Sequence, residues 1–341
     1  DRGVITQQLD TTPLAKIFNA TLSEQLSREG NVFIKTNNPG GVATLSVGGS
    51  NASQTSLLWN GVLLNNPMLG LYNYSLIPSF LFSQASIQYG GNGATQGNAS
   101  IGGSVQLQSQ PGAYDGYATE LVMGLGSFHQ QQLGVASHFS EEGIKISTRA
   151  YFQQNKNDYP FQDLFGKTQH LQNAALNQQG FSQDVQLGDE KNNLSVHTWY
   201  LKNEYQIPGS LLQSYSVQKQ NDEAVRTALT WNKQFKKFNF IWNVGYTNDK
   251  IRFVDSLISL DEKSKSYSVQ SDFYIEQPIG KYWKNSYRLN YNYTEAYTDA
   301  YREKQQLQTI NVIAKTSYEK NSVYASLSNR GSWYNNDFQW F

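Results

Sequence analysis

The sequence predicts an all-β-dominated chain in which a small N-terminal domain precedes antiparallel transmembrane β-barrel strands. Three observations lead there. Apolar and polar side chains alternate over many segments of about 10 residues, long enough to cross a bilayer when tilted. No run of about 18 apolar residues is present, and the most apolar stretches, Leu57–Leu64 and Leu76–Phe82, are short and broken by Asn, Pro or Ser. A closed sheet is then the remaining way to satisfy backbone polar groups in lipid. Finally, the connections alternate between short and long, as in barrels with tight turns at one rim and long loops at the other.

The clearest strand carries Phe238, Phe240, Trp242, Val244 and Tyr246 on one parity, with Asn239, Asn243, Gly245 and Thr247 between them. The same grammar sets Ile144, Ile146 and Phe152 against Lys145, Ser147 and Arg149, and Tyr287, Leu289 and Tyr291 against Arg288, Asn290 and Asn292. Eleven strands are expected, near 117–126, 129–139, 143–154, 178–188, 193–203, 223–234, 238–249, 265–276, 285–298, 305–318 and 321–329. Links after the even-numbered strands are short, whereas 155–177, 204–222 and 250–264 read as long loops. The parity of Phe240, Trp242, Tyr267, Phe273, Tyr287 and Tyr291 should face lipid, and that of Arg149, Arg226, Asp272 and Arg288 the lumen.

Composition narrows the function. Lys+Arg and Asp+Glu are both 27, so the zero net charge removes the footprint of a nucleic-acid binder. Charged residues make up 16% of the 341-residue chain, below the roughly 25% of ordinary soluble proteins, while aromatics reach 13%. The absence of cysteine excludes disulfides, thiolate metal sites and cysteine nucleophiles. From Thr36 to Tyr114 there is no charged residue and no histidine, yet Leu57, Trp59, Val62, Ile77, Phe80 and Phe82 supply enough apolar mass to fold. Within it, Asn60-Gly61 between two apolar runs signals a tight hairpin.

The order of motifs in this uncharged segment carries a resemblance. Thr44–Val47 leads into Gly48-Gly49-Ser50, followed by Gln54 through Pro67 with its Leu-Leu-Trp-Asn-Gly hairpin, by Ile77-Pro78, by Ile87 through Gly91, and by Ile101-Gly102-Gly103 through Leu107. The series resembles the plug domain of TonB-dependent outer-membrane receptors. The resemblance implies a plug, a small mixed α+β domain, over residues 1–112, then the N-terminal half of a transmembrane barrel over 113–341, about 11 strands of an expected 22. The residues after Gly112 are too few for 22 strands and their loops, and 335–340 reads as a break inside an extracellular loop. Gly102 and Gly103 would lie where the plug packs against the wall. Asn157–Phe161 and Trp199 with Gln206-Ile207-Pro208 look like the second and third loops of cobalamin- or siderophore-type receptors. Gly48 and Asn60 stand where that family usually carries Arg and Asp, so charged contacts that seat a plug are missing.

The implied function is TonB-dependent import of an extracellular nutrient in the outer membrane of a Gram-negative bacterium. The partners are TonB, through a segment outside this sequence since no TonB box is visible before Ile5, a small-molecule nutrient such as cobalamin or a siderophore, and outer-membrane lipid. No cofactor and no nucleic acid is implied. The ligand would meet the plug apices, where Asn51, Gln54, Asn65, Asn66 and Asn73 offer donors and acceptors, Tyr72 and Tyr74 flat faces, and Met68 an adaptable apolar contact. Tyr159 and Phe161 would close over it. The absence of charge there argues against a carboxylate- or phosphate-rich ligand. A passive porin-like or structural barrel, or a soluble β-rich glycan-binding protein, are the alternative readings.

Enzyme chemistry is not indicated. His129, His138, His170 and His197 are scattered without metal-binding spacing and read as lumen or rim residues. Asp158 and Asp163 lack the dense spacing of a Ca²⁺ loop. The Gly90–Gly103 stretch has no Lys and no phosphate-loop spacing. No nucleophile and base pair stands out.

Barrel parity makes a direct test. Val244→Arg should cost about 2–4 kcal/mol if it lies near the bilayer midplane, while Asn243→Arg should be tolerated by the barrel. Urea titration of the folded protein in lipid measures both, and equal effects at these two neighbours would count against a barrel.

Overall fold

The computed structural model describes residues 5–11, 21–36, 41–90, 101–111, 115–209, 215–300, 303–321, 323–335 and 337–340. The N-terminal domain begins with β1 (Ile5–Gln8) and α1 (Leu22–Glu29). The helix starts where the sequence supplies a capping box: Thr21 Oγ1 accepts the Glu24 N–H, and the Glu24 carboxylate accepts the Thr21 N–H at 3.2 Å. Leu22 and Leu26, one turn apart, are fully buried. The hairpin β2 (Phe33–Thr36) and β3 (Ala43–Ser46) follows.

The domain's main sheet is built from β4 (Thr55–Trp59), β5 (Val62–Leu63), β6 (Gln84–Tyr89) and β7 (Gly103–Gln108), in the order β1-β6-β7-β4-β5. Strand β4 pairs parallel to β7 and is buried along its whole length. Asn60 and Gly61 turn β4 into β5 with φ of 46° and 83°, the left-handed values that an Asn-Gly hairpin turn requires. Gly102 and Gly103 differ from expectation. A Cβ on Gly102 would strike Ser50, and one on Gly103, at φ 152°, would strike the Gln88 carbonyl and Val47. Their missing side chains let plug segments approach one another, not the wall.

A second sheet holds β8 (Gly116–Gly126), β9 (Gln130–Glu141), β10 (Ile144–Asn155), β13 (Leu176–Gly188), β14 (Asn192–Ile207), β15 (Gln218–Gln234), β16 (Asn239–Asp255), β17 (Leu260–Ile279), β18 (Trp283–Thr298), β19 (Gln305–Lys320), β20 (Val323–Tyr334) and β21 (Asp337–Trp340). All neighbours are antiparallel. Eleven of these are the expected strands. The twelfth is a correction: Asp337–Trp340 folds back on β20, with Tyr334 opposite Asp337 and Asn335 at φ 43°, where a loop was expected. Backbone pairing there needs no apolar alternation, the signal on which the sequence reading depended.

The long loops are also more ordered than expected. The ladder of β16 and β17 continues from Lys250 opposite Lys265 to Asp255 opposite Leu260, so most of 250–264 is an extended hairpin. Strands β14 and β15 likewise run on to Ile207 opposite Gln218. Between β10 and β13 a small hairpin forms from β11 (Pro160–Gln162) and β12 (Thr168–His170). Trp199 belongs to no loop. It lies mid-strand in β14, is 2% exposed, and faces inward.

Parity follows expectation. Leu194, Trp231, Trp242, Phe273, Leu289 and Val312 line up across six strands on the outward face, with the Trp242 and Phe273 rings stacked at 5.3 Å. The opposite face receives the N-terminal domain, and one apolar core spans both, joining Leu57, Trp59, Phe80 and Leu81 to Ala136, Tyr151, Trp199 and Leu201 of the wall. Three wall glycines accept the plug's apolar knobs. A Cβ on Gly134 would meet Phe80 at 2.9 Å, one on Gly180 would meet Leu81 at 2.5 Å, and one on Gly245 would meet Val62 at 2.6 Å. Asn243 lies against the Gly61 turn and accepts a hydrogen bond from Thr230 at 2.8 Å, so Arg at that position would press on the plug.

Gly245→Leu should therefore overpack the plug and wall contact by about 1–3 kcal/mol. Limited proteolysis in detergent would show the plug cut faster while the barrel's heat-modifiable gel mobility stays unchanged. Undiminished plug protection would contradict this packing.

Candidate functional site

The rim of the sheet that carries the long hairpins is where the plug presents its apical segments. Two of these were singled out by sequence. The first follows β3, where Gly48 and Gly49 adopt φ of 59° and 78° and Asn51 begins a short 3₁₀ turn, Ala52–Gln54. Gln54 Oε1 accepts the Asn51 N–H at 3.0 Å, and the Gln54 carbonyl accepts the N–H groups of Ile101 and Gly102. Asn51 remains exposed.

The second segment runs from Asn65 to Tyr74, and its amides mostly hold its own shape. Asn65 accepts the Leu57 N–H at 2.8 Å and donates to the Thr55 and Gly70 carbonyls. Asn66 is buried, its side chain accepting the Met68 N–H at 2.9 Å in an Asx turn. Asn73 Oδ1 accepts from the Ala43 N–H and from both the N–H and hydroxyl of Ser75. Sequence reasoning took these amides for ligand contacts. The loop consumes most of their capacity, because tight turns without regular pairing must satisfy their backbone with nearby side chains.

The two tyrosines part company. Tyr74 is 2% exposed and belongs to the core, so it offers no face to a ligand, and burial holds its phenol above its ordinary pKa. Tyr72 is half-buried, edge-on to Tyr74 at 6.2 Å, with the Arg226 guanidinium 5.8 Å from its ring centre. Burial raises the Tyr72 phenol, and the Arg226 charge opposes that rise. Arg226 Nη2 donates to Asp249 at 2.6 Å and reaches the Tyr72 hydroxyl at 3.5 Å, while its Nε and Nη1 are buried without a partner among the described residues. Sequence reasoning assigned Arg226 to the lumen but did not connect it to the site. Only strand register brings it behind Tyr72.

Tyr159 and Phe161 lie apart from Tyr72. Tyr159 stacks edge-on against Phe128 at 5.2 Å, and burial pushes its phenol up to about 12. It lines a cavity of about 800 Å³ between α1 and the wall, shared with Glu24, Arg28, Thr36, Gln153 and Asn155. Phe161 sits on the small hairpin, opposite Gln169. The cavity touches the apex through Ser75, whose hydroxyl donates to Asn73. The helix contributes two charges, Glu24 and Arg28, that the sequence reading had not associated with any site.

Four wall contacts seat the plug without using a plug charge. Gln270 donates to the Leu63 carbonyl at 2.9 Å and accepts the Leu63 N–H at 3.0 Å, closing the free edge of β5 as a neighbouring strand would. Gln178 donates to the Ser75 carbonyl, and Arg149 to the Gln110 carbonyl. Trp59 meets Trp199 edge-on at 5.4 Å. The histidines lie as expected: His138 and His197 on lumen faces, bonded to Ser147 and Asp184, and His129 and His170 beside Asp158 at the rim.

Residues 4–104 match the family model of the TonB-dependent Receptor Plug Domain. The chain resembles the TonB-dependent receptors. Its fold is similar to that of the FrpB iron transporter from Neisseria meningitidis, with a TM-score of 0.80 at 12% identity, covering 98% of this chain and 60% of that one. The ferric yersiniabactin uptake receptor FyuA from Yersinia pestis is similar at a TM-score of 0.74 and 11% identity, over 99% of this chain and 61% of that one. The siderophore receptor PiuA from Acinetobacter baumannii matches at 0.66 and 11%, over 97% and 61%. The chain thus spans about three fifths of the length of these solved structures. A search of the curated proteins finds no matching sequence.

The small rim hairpin gives a pH test. Asp163 accepts the Phe165 and Lys167 N–H groups, both at 2.9 Å, and the Gln169 amide, and these bonds, that of Lys167 first, hold its carboxyl below the ordinary range. A depressed carboxylate contributes order that is fully present above its unfolded pKa and is lost as pH falls through the lower folded value. The protection factors of the Phe165 and Lys167 amides, measured against the intrinsic exchange rate at each pH, should therefore hold at pH 5 and fall below about pH 4. Asp163→Asn should weaken protection at pH 5, where the carboxylate is ionised, and flatten the profile. A profile unchanged by that substitution would rule out this control.

Proposed function

We propose that this chain is the plug, over residues 1–112, and the first barrel strands, over 113–341, of an outer-membrane receptor that binds a small-molecule nutrient and imports it when TonB remodels the plug. The observation that carries the reading is the apex: Tyr72 stands half-buried on the long-hairpin side of the plug's uncharged segment, with Arg226 and Asp249 of the wall behind it. Asn51, Met68 and Tyr72 form the ligand-facing surface, and Gln54, Asn65, Asn66 and Asn73 set its shape. Tyr159 and Phe161 belong to the rim that closes beside it, and Tyr74 supports Tyr72 from the core. Arg226 brings donor capacity to this surface that the plug lacks, which admits ligands with an acidic or hydroxyl-rich group. The fold neighbours include receptors named for siderophores and iron, which makes an iron chelate the first ligand class to test.

The full-length receptor should be expressed in a receptor-deficient host with and without TonB, and supplied with labelled cyanocobalamin and with a panel of ⁵⁵Fe-loaded catecholate and hydroxamate chelators. We expect one probe to accumulate only when TonB is present. Tyr72→Ala should weaken its binding roughly tenfold, the loss expected of a central aromatic contact, without altering barrel assembly. Passage of small solutes regardless of TonB would favour a passive pore instead.

A further inference from the structure

Two polar cavities between plug and wall lie along the same pair of strands. The cavity of about 800 Å³ beside α1 reaches the wall at Gln153, Asn155 and Leu176, on the long-hairpin side. Another, of about 550 Å³, opens at the rim of short turns, between Gln106, Gln108 and Gln110 of the plug and Lys145, Gln186 and Asn193 of the wall. Gln153, Asn155 and Lys145 belong to β10, and Leu176 and Gln186 to β13. Between Gln153 opposite Gln178 above and Lys145 opposite Gln186 below, three lumen-facing pairs intervene: Tyr151 with Gly180, Arg149 with Ser182, and Ser147 with Asp184.

A small apolar knob closes this sector. The 3₁₀ turn Ser79–Leu81 stacks Phe80 on Tyr151 with ring centres 6.1 Å apart and sets Leu81 into the hollow of Gly180. The wall on either side of that hollow is polar and partly unsatisfied. Gln178 and Ser182, the same-face neighbours of Gly180 along β13, are fully buried, and Gln178 Oε1 and Ser182 Oγ have no hydrogen-bond partner among the described residues. Buried polar atoms without partners cost free energy, and an apolar knob supplies none. Water or a polar solute taking the place of the knob would satisfy both atoms. The β16–β17 flank is closed differently: Gly245 receives Val62, and Gln270 commits both ends of its amide to Leu63.

We infer that imported solute passes along the β10–β13 sector of the wall, from the cavity beside α1 to the pocket at the short-turn rim, and that Phe80 and Leu81 form the gate between them. The lower pocket is then a release site. Its lining is mainly side-chain amides, with Lys145 and His197 as its ionisable groups, which suits a solute that presents hydroxyl and amide groups. Opening this path needs withdrawal of one three-residue turn, not removal of the plug. The inference deepens the import reading above and rests on it.

Disulfide tethers on a cysteine-free, full-length receptor test the path, since these 341 residues contain no cysteine of their own to compete. A Cβ on Gly180 would lie 3.4 Å from Leu81 Cγ, and one on Gly245 would lie 3.1 Å from Val62 Cβ. Leu81→Cys with Gly180→Cys, and Val62→Cys with Gly245→Cys, are therefore near enough for a bridge. Accumulation of labelled cyanocobalamin and of the ⁵⁵Fe-loaded catecholate and hydroxamate chelators is followed with TonB present. Oxidising the first tether should lower accumulation about tenfold or more, with recovery in dithiothreitol, and oxidising the second should leave it within about twofold. Ser182→Cys gives a readout apart from uptake: a small methanethiosulfonate reagent should label it about tenfold faster during import of an accumulating probe than without TonB. Equal loss through both tethers, or loss through neither, overturns the inference, as does a Ser182→Cys labelling rate that import leaves unchanged. If no probe accumulates in the untethered receptor, the import reading itself fails, and the path falls with it.

Discussion

The structure depends on how a plug segment without charges, from Thr36 to Tyr114, is held against a wall that has them. Across the central plug segment no ionisable side chain other than tyrosine is present, while the wall facing it holds Arg149, Asp184, His197, Arg226 and Asp249. Those charges neutralise one another within the barrel. Asp184, fully buried, joins Arg149 at 2.6 Å and His197 at 2.8 Å, and Asp249 joins Arg226 at 2.6 Å. Removing one partner of a buried ion pair costs about 3–5 kcal/mol, so a plug that supplied half of each pair could leave only at that cost several times over. Neutral amide and carbonyl contacts contribute about 0.5–1.5 kcal/mol each and can be exchanged for water. A plug seated by Gln270, Gln178 and one bond from Arg149 is therefore specific in position and modest in electrostatic attachment.

Apolar packing supplies what the electrostatics omit. Trp59 meets Trp199 edge-on, and Phe80, Leu81 and Val62 fill hollows left by Gly134, Gly180 and Gly245. These glycines lie inside strands, where a missing side chain ordinarily weakens the sheet. Here the loss is offset by the knobs the hollows receive. The plug core is thus completed by the wall, and Tyr72 takes its position from that docking as much as from its own loop. The outer face follows a different pattern. Its apolar rows end at tyrosines and then at charges, as β17 does at Tyr267 and Lys265.

Much of the barrel was legible because alternation is a local signal. All eleven long strands and their lumen parity follow from it, as does the Asn60-Gly61 hairpin. The exceptions share one cause. The extension of β16 and β17 beyond Lys250 and Lys265 and the pairing of Asp337–Trp340 are made by backbone hydrogen bonds, which need no apolar alternation to form. The family resemblance located the plug, yet it put Trp199 in a loop, where the structure has an inward strand residue against Trp59.

The candidate site divides along the same line. Sequence by itself determined that the chain is β-rich, which face of each strand is apolar, that the segment from Thr36 to Tyr114 is uncharged, and which short segments bear amides and aromatics. Only tertiary structure decided that Tyr74 is core while Tyr72 is not, that Asn66 and Asn73 are occupied by their own turns, that Tyr159 borders a different cavity, and that Arg226 stands behind the apex. The physical reason is that polarity and turn chemistry are set by residues close in the chain. Whether a side chain is exposed, already bonded or backed by a charge depends on what register brings to it, and Arg226 is more than 150 residues away from Tyr72 along the chain.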